Sequence, residues 1–480
     1  MMQAPSVHQD TLFMTRTTLK PSTMHRILAS PLGRPLASGV FNDLKLAMLP
    51  REFRMARARA AAFQHDEPEA FLAALGADHE AKRKLVEPAA RALTELALRR
   101  KALRPVEETW ERAMWEDLPI DASDLVALEE ERRSLSERAI KPGMLFRFLW
   151  NEPSIAPTGF SVPAPVLALQ RSADWLANPA ELYAAPADPI DVTRSNAIPG
   201  PVGEEYLLRF HSPSPFTNGD VVTARVYEPA PGNADIPSFI FGSGLGMSYD
   251  LIRYWPEEDY MARRLAARGI RTILPESPWH GRRELPGCYS GEPYLARAPV
   301  SIFELFSAQC QEAAILVAWA RENGSRKVGV GGVSLGGLVT QQIVGHCGGW
   351  PDAMRPNMAF VGAGSGHVDQ VVALGHLSKL LGLTDAVRQA GWTDQLLAEL
   401  RPLLDPPDTE SIDPEAIVAC LGTRDSSTPF RLASDLLDRW RVPEDNRIIR
   451  DEDHMALYTF LIRKPDVADR IAACLLSDAV

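Results

Sequence analysis

Cysteine is scarce in this chain of 480 residues: Cys288, Cys310, Cys347, Cys420 and Cys474 are odd in number, widely spaced, and form no Cys-x-x-Cys pair. That argues against a disulfide scaffold and a cysteine-built zinc site, and favours a reducing compartment. No run approaches the roughly 20 uninterrupted apolar residues of a membrane span, and there is no h-region of a secretory signal. Positive charge is in deficit: the formal net charge is -11, with a pI near 5.5, which argues against a general nucleic-acid surface. Acid is missing from residues 11–42, which hold Arg16, Lys20, Arg26 and Arg34. A transit segment has this bias, but an irregular basic segment is the simpler reading. The expected location is cytoplasmic, or organellar if residues 1–42 are a transit segment. No period of 20 to 50 residues marks a solenoid. No Walker A sequence and no His/Cys/carboxylate group with metal-ligand spacing is present, so neither metal nor cofactor is expected.

What is there suits a globular chain with a full core: 45% of residues are hydrophobic and 24% charged. Residues 1–150 are helical in pattern. Asp66 is placed to cap a short helix carrying Phe71, Leu72 and Leu75 and ending at Gly76. A long amphipathic run follows over Leu85, Leu93, Leu96 and Leu103, and another starts near Asp121 and Asp124. This region reads as a cap or an oligomerisation module; a homodimer is left open. Residues 151–205 are rich in Pro, Ala, Ser and Asn and read as a wrapped connector anchored by Trp150, Phe160, Leu167, Trp175 and Tyr183. From Tyr206 the pattern changes to two strands joined by a turn at Asn218-Gly219, then alternating strands and helices. This implies an α/β fold over 206–480, with a mostly parallel sheet and helices on both faces. A helical insertion at about 366–413 lies where a lid would sit.

The densest signal is Gly332-Val333-Ser334-Leu335-Gly336, framed by an apolar strand and a helix. A serine on a sharp strand-to-helix turn has its hydroxyl pushed out towards a substrate, and the flanking glycines let the turn pack tightly. A hydroxyl nucleophile needs a base, and the base needs an orienting group. Asp425 follows an apolar strand, and His454 lies in the loop after the last one; the order Ser334, Asp425, His454 fits such a set. Asp425 competes with a plain helix-cap role among Ser426, Ser427 and Thr428. Asp453 is expected to point away from the ring of His454, and Asp451 is a weaker alternative orienter. His346, His367 and His376 have no partner pattern. Gly242-Ser243-Gly244-Leu245-Gly246 fails the dinucleotide-binding pattern, because Met247 stands where its third glycine belongs.

From about residue 205 to 480 the chain resembles the α/β-hydrolase family. The resemblance rests on the elbow, on the Gly-x-x-Asp-x-x-x-Pro stretch Gly422 to Pro429, on the late His454, and on Pro278-Trp279-His280-Gly281-Arg282. It implies a serine esterase with Ser334 as nucleophile, His454 as base and Asp425 as its orienting acid. Two backbone N–H groups would stabilise the oxyanion: that of Leu335, and one from the loop after the third strand, with Ser243 or Gly244 as candidates. The usual His-Gly of that loop is absent, Phe241 standing in the His position. Trp279 and His280 are candidate pocket-lining residues, His280 having an equal claim to a structural role. The expected partner is a small-molecule ester or related acyl substrate. Amidase, carbon–carbon hydrolase and acyltransferase chemistry use the same triad, and a non-catalytic scaffold is the remaining alternative. Residues 1–200 match no named family.

Overall fold

The computed structural model describes residues 23–33, 39–140, 145–230, 235–247 and 257–477; residues 1–22 of the basic N-terminal segment lie outside it. Ten strands form a single sheet: β1 (Thr193–Arg194), β2 (Ile198–Pro199), β3 (Gly203–His211), β4 (Val221–Pro229), β5 (Ser238–Gly242), β6 (Arg271–Pro275), β7 (Val328–Val333), β8 (Met358–Gly362), β9 (Ile417–Gly422) and β10 (Arg447–Arg450). Their order is β1-β3-β4-β6-β5-β7-β8-β9-β10, with β2 on β3. β3 and β4 form an antiparallel hairpin, and β4 is antiparallel to β6. From β6 to β10 every pairing is parallel. β7, β8 and β9 are buried along their whole length. They therefore read as continuous apolar runs, not as alternating ones.

Two cores flank the sheet. One is built around helix Val300–Glu322 and helix Leu335–His346, the other around helices His454–Arg463 and Asp466–Leu476. Helix Val300–Glu322 is long and apolar enough to cross a membrane by composition, but its apolar window is 83% buried within the protein. It is a core helix whose apolar surface is already covered on all sides.

The N-terminal region contains helices Gly39–Ala62, Pro68–Ala74, His79–Trp115 and Ala122–Ile140. The cap expected at Asp66 falls one residue later: Glu67 occupies the N-cap and Pro68 the first turn. Proline suits that position because its missing N–H is one the helix cannot use. The connector is more ordered than its composition suggests. It holds three short helices, Pro165–Arg171, Ala173–Ala177 and Pro179–Leu182, besides β1 and β2. Trp175 meets Phe216 and Phe303 edge-on, and the buried Tyr183 donates its hydroxyl to the Leu403 carbonyl at 2.6 Å.

Helix Ala122–Ile140 is joined to the sheet by buried ion pairs. Glu129 receives Arg132 (2.9 Å), Arg133 (2.6 Å) and, from β4, Arg225 (2.6 Å). Arg133 reaches Glu258 at 2.9 Å, and Arg263 binds Glu205 of β3 at 2.7 Å and Asp259 at 2.6 Å. Buried pairs of this kind add little over well-packed apolar residues, but removing one member costs about 3–5 kcal/mol because a charge is left stranded. At the other end of the region, helix Gly39–Ala62 packs on helix His376–Leu381 of the insertion and on helix His454–Arg463.

Candidate active site

Parallel strands deliver their loops to one edge of a sheet, and open α/β sheets form their sites there. Ser334 directly follows β7, Ser243 follows β5, Asp425 comes three residues after β9, and His454 opens the helix after β10. Ser334 has φ 56° and ψ -116°, outside the basins comfortable for a side chain. The turn is held by the Ser334 N–H, which donates to the Gly362 carbonyl of β8 at 2.9 Å, and by the Gly336 N–H, which donates to Ser243 at 2.9 Å. A side chain at Gly336 would bring its Cβ to 2.2 Å from the Gly242 carbonyl oxygen, and one at Gly332 to 2.5 Å from the Gly336 backbone. That contact is what the pentapeptide's glycines make room for, and it places the β5 loop beside the elbow.

The three sequence candidates converge. His454 Nε2 lies 3.0 Å from Ser334 Oγ, and His454 Nδ1 lies 2.7 Å from Asp425 Oδ2. Asp425 also accepts from the Ser427 and Thr428 N–H groups at 2.9 Å each and from the Thr428 hydroxyl at 2.9 Å. One oxygen thus closes the turn after β9 and the other faces the imidazole; the helix that follows, Phe430–Arg439, has Pro429 at its N-cap, so the plain helix-cap role is not the one Asp425 takes. His454 and Asp425 are buried. Burial pulls the His454 pKa down, but the charge and hydrogen bond of Asp425 outweigh it and hold the pKa above the usual imidazole value. Nδ1 keeps its proton towards the carboxylate, and Nε2 is left as the acceptor facing Ser334.

The other candidates separate cleanly. Asp453 turns away from the ring and caps its helix, accepting from Ala456 N–H at 3.0 Å. Asp451 is engaged by Thr423 and Arg424. His280 is fully buried, with Nδ1 2.8 Å from the Pro278 carbonyl, and burial takes its pKa down to about 4. Trp279 is buried against the main core with φ 64°, the Arg297 guanidinium lying 5.0 Å from its ring centre. His346 stacks on Tyr183 at 4.5 Å. His367 does have a partner, Asp405 Oδ2 at 3.0 Å, and with Asp369 these residues form the one group among the described residues close enough to hold a metal ion. Arg401 pairs with Asp369 at 2.8 Å, and Asp405 accepts from the Val368 N–H, so the carboxylates already have partners within the protein. A cavity of about 290 Å³ lies between helix Gly39–Ala62 and the segment 285–297, which includes the short helix Glu292–Ala296, and is lined in part by Arg57, His65, Cys288, Glu292 and Arg297.

Two neighbours of the convergence escaped the sequence reading. Thr428 approaches both Asp425 and His454, its hydroxyl 3.3 Å from His454 Nδ1. Tyr458 stands one helical turn after His454, its ring edge-on to the imidazole at 6.4 Å and its hydroxyl so near Gly244 that a Cβ there would lie within 2.4 Å of the hydroxyl. The spacing i, i+4 on one helix was the available signal for Tyr458.

Residues 245–372 match the model of the family described as alpha/beta hydrolase domain containing 18, a segment that includes Ser334 and ends before Asp425 and His454. No curated protein matches the chain. Among solved structures, an acetyl xylan esterase from Paenibacillus sp. R4 is similar at 12% identity and TM-score 0.41, over 63% of this chain and 95% of that one. Acetyl xylan esterase 1 from Thermoanaerobacterium sp. JW/SL YS485 is similar at 15% identity and TM-score 0.41, over 67% and 97%. An S-formylglutathione hydrolase from Agrobacterium tumefaciens is similar at 16% identity and TM-score 0.38, over 60% and 100%. With a strand order that reverses at β6-β5, a serine turn after β7 and the family match across that turn, the chain carries an α/β-hydrolase domain.

Proposed function

We propose that the protein is a serine hydrolase acting on a carboxylic ester. The observation that carries this reading is the continuous line of hydrogen bonds from Ser334 Oγ through His454 to Asp425. In this mechanism Ser334 attacks the acyl carbon, and its proton passes to His454 Nε2. Asp425 stabilises the imidazolium without taking the proton itself. The oxyanion is met by the Leu335 N–H and by that of Ser243 or Gly244. His454 then returns the proton to the leaving alkoxide, and water activated by the same nitrogen releases the acid. Leu335 suits its part because the first N–H groups of a helix have no intrahelical acceptor. Helix Gly39–Ala62, packed on both the insertion and the His454 helix, is read as part of the cap over this site.

The test is active-site labelling with a fluorophosphonate, together with turnover of esters of graded acyl length. Wild-type protein is expected to be labelled at Ser334 and to release alcohol from at least one ester, and Ser334→Ala is expected to do neither. A folded wild type that neither reacts with the probe nor turns over any ester would sink the proposal in favour of a scaffold role.

A further inference from the structure

Thr428 is buried beside the line of hydrogen bonds, yet the serine-hydrolase reading gives it no task. Its hydroxyl donates to Asp425 Oδ2 at 2.9 Å, the same oxygen that lies 2.7 Å from His454 Nδ1, and it stands 3.3 Å from Nδ1 itself. Three atoms thus close a triangle. The other carboxylate oxygen, Oδ1, accepts the Ser427 and Thr428 N–H groups. Those bonds fix one end of the carboxylate and leave its plane free to pivot about Oδ1. Among the described residues, the Thr428 hydroxyl is the one donor besides the imidazole that fixes Oδ2. That hydroxyl is itself well held: threonine is stiff at χ1, and Pro429 after it biases its backbone to the extended region. With its proton spent on the carboxylate, the Thr428 oxygen can offer only lone pairs to the Nδ1 proton. At 3.3 Å that contact is beyond the usual range, whereas the 2.9 Å bond to a carboxylate is charge-assisted and the stronger of the two. The net effect of the hydroxyl is to draw charge away from Oδ2.

We propose that Thr428 is a positioning residue: its hydroxyl holds Asp425 Oδ2 in line with the imidazole and tempers the carboxylate's charge there. The proposal rests on the serine-hydrolase reading. His454 has to take a proton from Ser334 and give it back to the leaving group, so an imidazolium held too firmly slows the return. Burial pulls the His454 pKa down, and Asp425 already holds it above the usual imidazole value. Removing the Thr428 donor leaves more charge on Oδ2 facing Nδ1, favours the imidazolium further, and frees the carboxylate to pivot. The other groups around the ring are Asp453, whose charge also favours the imidazolium, and Tyr458, edge-on at 6.4 Å. Behind them stand Arg424 and Asp43, which act on Asp453, and Glu257, which acts on Tyr458. A change confined to the Thr428 hydroxyl alters none of these.

The experiment is Thr428→Val, which keeps the shape and removes the hydroxyl, assayed beside wild type and Thr428→Ser on p-nitrophenyl acetate across the pH range. The base must be neutral to act, so a raised His454 pKa moves the acid limb of kcat/KM to higher pH. For Thr428→Val the expected result is a limb moved up by roughly half a pH unit, since one of the charge-assisted bonds on the carboxylate is gone. Its kcat is expected to fall by roughly tenfold, the low end for a hydrogen bond to a charged group. KM is expected within about twofold, because the lost bond serves the transition state. Thr428→Ser is expected to restore both kcat and the limb. An active wild type beside a valine variant that matches it in kcat and in acid limb overturns the role of Thr428 alone. A loss of kcat with an unmoved limb overturns it too, as a merely structural effect. A limb moved down also overturns it, since the long contact with Nδ1 would then outweigh the bond to the carboxylate. Failure of serine to restore activity counts equally against it. Should the valine variant show a collapsed unfolding midpoint, Thr428→Ala takes its place against the same serine control. Absence of fluorophosphonate labelling and of turnover in wild type overturns the serine-hydrolase reading, and the role of Thr428 with it.

Discussion

Asp425→Asn is the substitution whose consequence can be followed atom by atom. Oδ1 accepts two backbone N–H groups at 2.9 Å, and an asparagine carbonyl placed there keeps both, so the turn after β9 survives. Oδ2 accepts from His454 Nδ1 at 2.7 Å and from the Thr428 hydroxyl at 2.9 Å. An amide NH₂ in that place is a donor. Thr428 can rotate its hydroxyl to accept, but the imidazole must expose a bare Nδ1. Its proton then moves to Nε2, which faces Ser334 as a donor and can no longer serve as base. The equivalent tautomer reversal in a serine protease lowers kcat by about 10⁴-fold, and 10⁴ corresponds to ~5 kcal/mol of transition-state stabilisation. The expected result is a loss of that order in kcat on an activated ester, with the thermal midpoint within a few degrees of wild type. Asp453→Asn is the matched control, because asparagine caps a helix as well as aspartate does; its activity is expected within about threefold. Asp425→Asn retaining more than a tenth of wild-type kcat, or Asp453→Asn losing as much as Asp425→Asn, would refute the assignment of the orienting role.

Two further outcomes follow from the same geometry. Ser334→Gly removes the side chain strained at φ 56°; relief of about 1–3 kcal/mol, set against glycine's greater entropy when unfolded, should leave it roughly 1 kcal/mol more stable than Ser334→Ala in urea unfolding. Equal stability of the two would mean the elbow stores no strain. His280 is neutral when folded, its pKa taken from 6.5 down to about 4 by burial. Below about pH 6.5 the unfolded chain binds a proton that the folded one refuses, so its contribution to stability is lost as pH falls from about 6.5 to 4, by on the order of 3 kcal/mol in all. Urea midpoints at pH 7 and pH 5 should therefore differ less for His280→Asn than for wild type, and an identical difference would discard the argument.

Ser334, Asp425 and His454 could be singled out in sequence because each signal is local: an apolar strand, then a residue of the right chemistry. The parallel strands were visible for a related reason, since burial on both faces leaves apolar runs bounded by glycine and proline. Tyr458 was hidden because its approach to Gly244 exists only after the loop following β5 and the helix following β10 are brought together. Thr428 was read among the capping residues after β9, and its approach to His454 depends on the neighbouring strand β10. The cap at Asp66 was misplaced by one residue because aspartate is the better capping side chain, whereas Pro68 takes the first helical position and so makes Glu67, which forms no side-chain cap bond, the N-cap. Glu129, Arg132 and Arg133 carry the i, i+3 and i, i+4 spacing of a solvated helix face, yet all three are buried. Sequence spacing alone does not separate an ion pair facing water from one facing Arg225 and Glu258.

That buried cluster bears on the order in which the molecule can assemble. Glu129 brings two of its counter-charges, Arg132 and Arg133, on its own helix, so the helix can wait in water with its charges already matched. Arg225, Glu205, Glu258 and Arg263 are supplied later in the chain. Docking then joins two half-compensated sets into one, and each supplies what the other lacks. Cut free of residues 1–150, the sheet would lose the Glu129 partner of Arg225 and the Arg133 partner of Glu258, charges that the intact molecule keeps from water. The sheet-bearing half is in this sense not a detachable unit: its face at β3 and β4 is finished by a segment made before it.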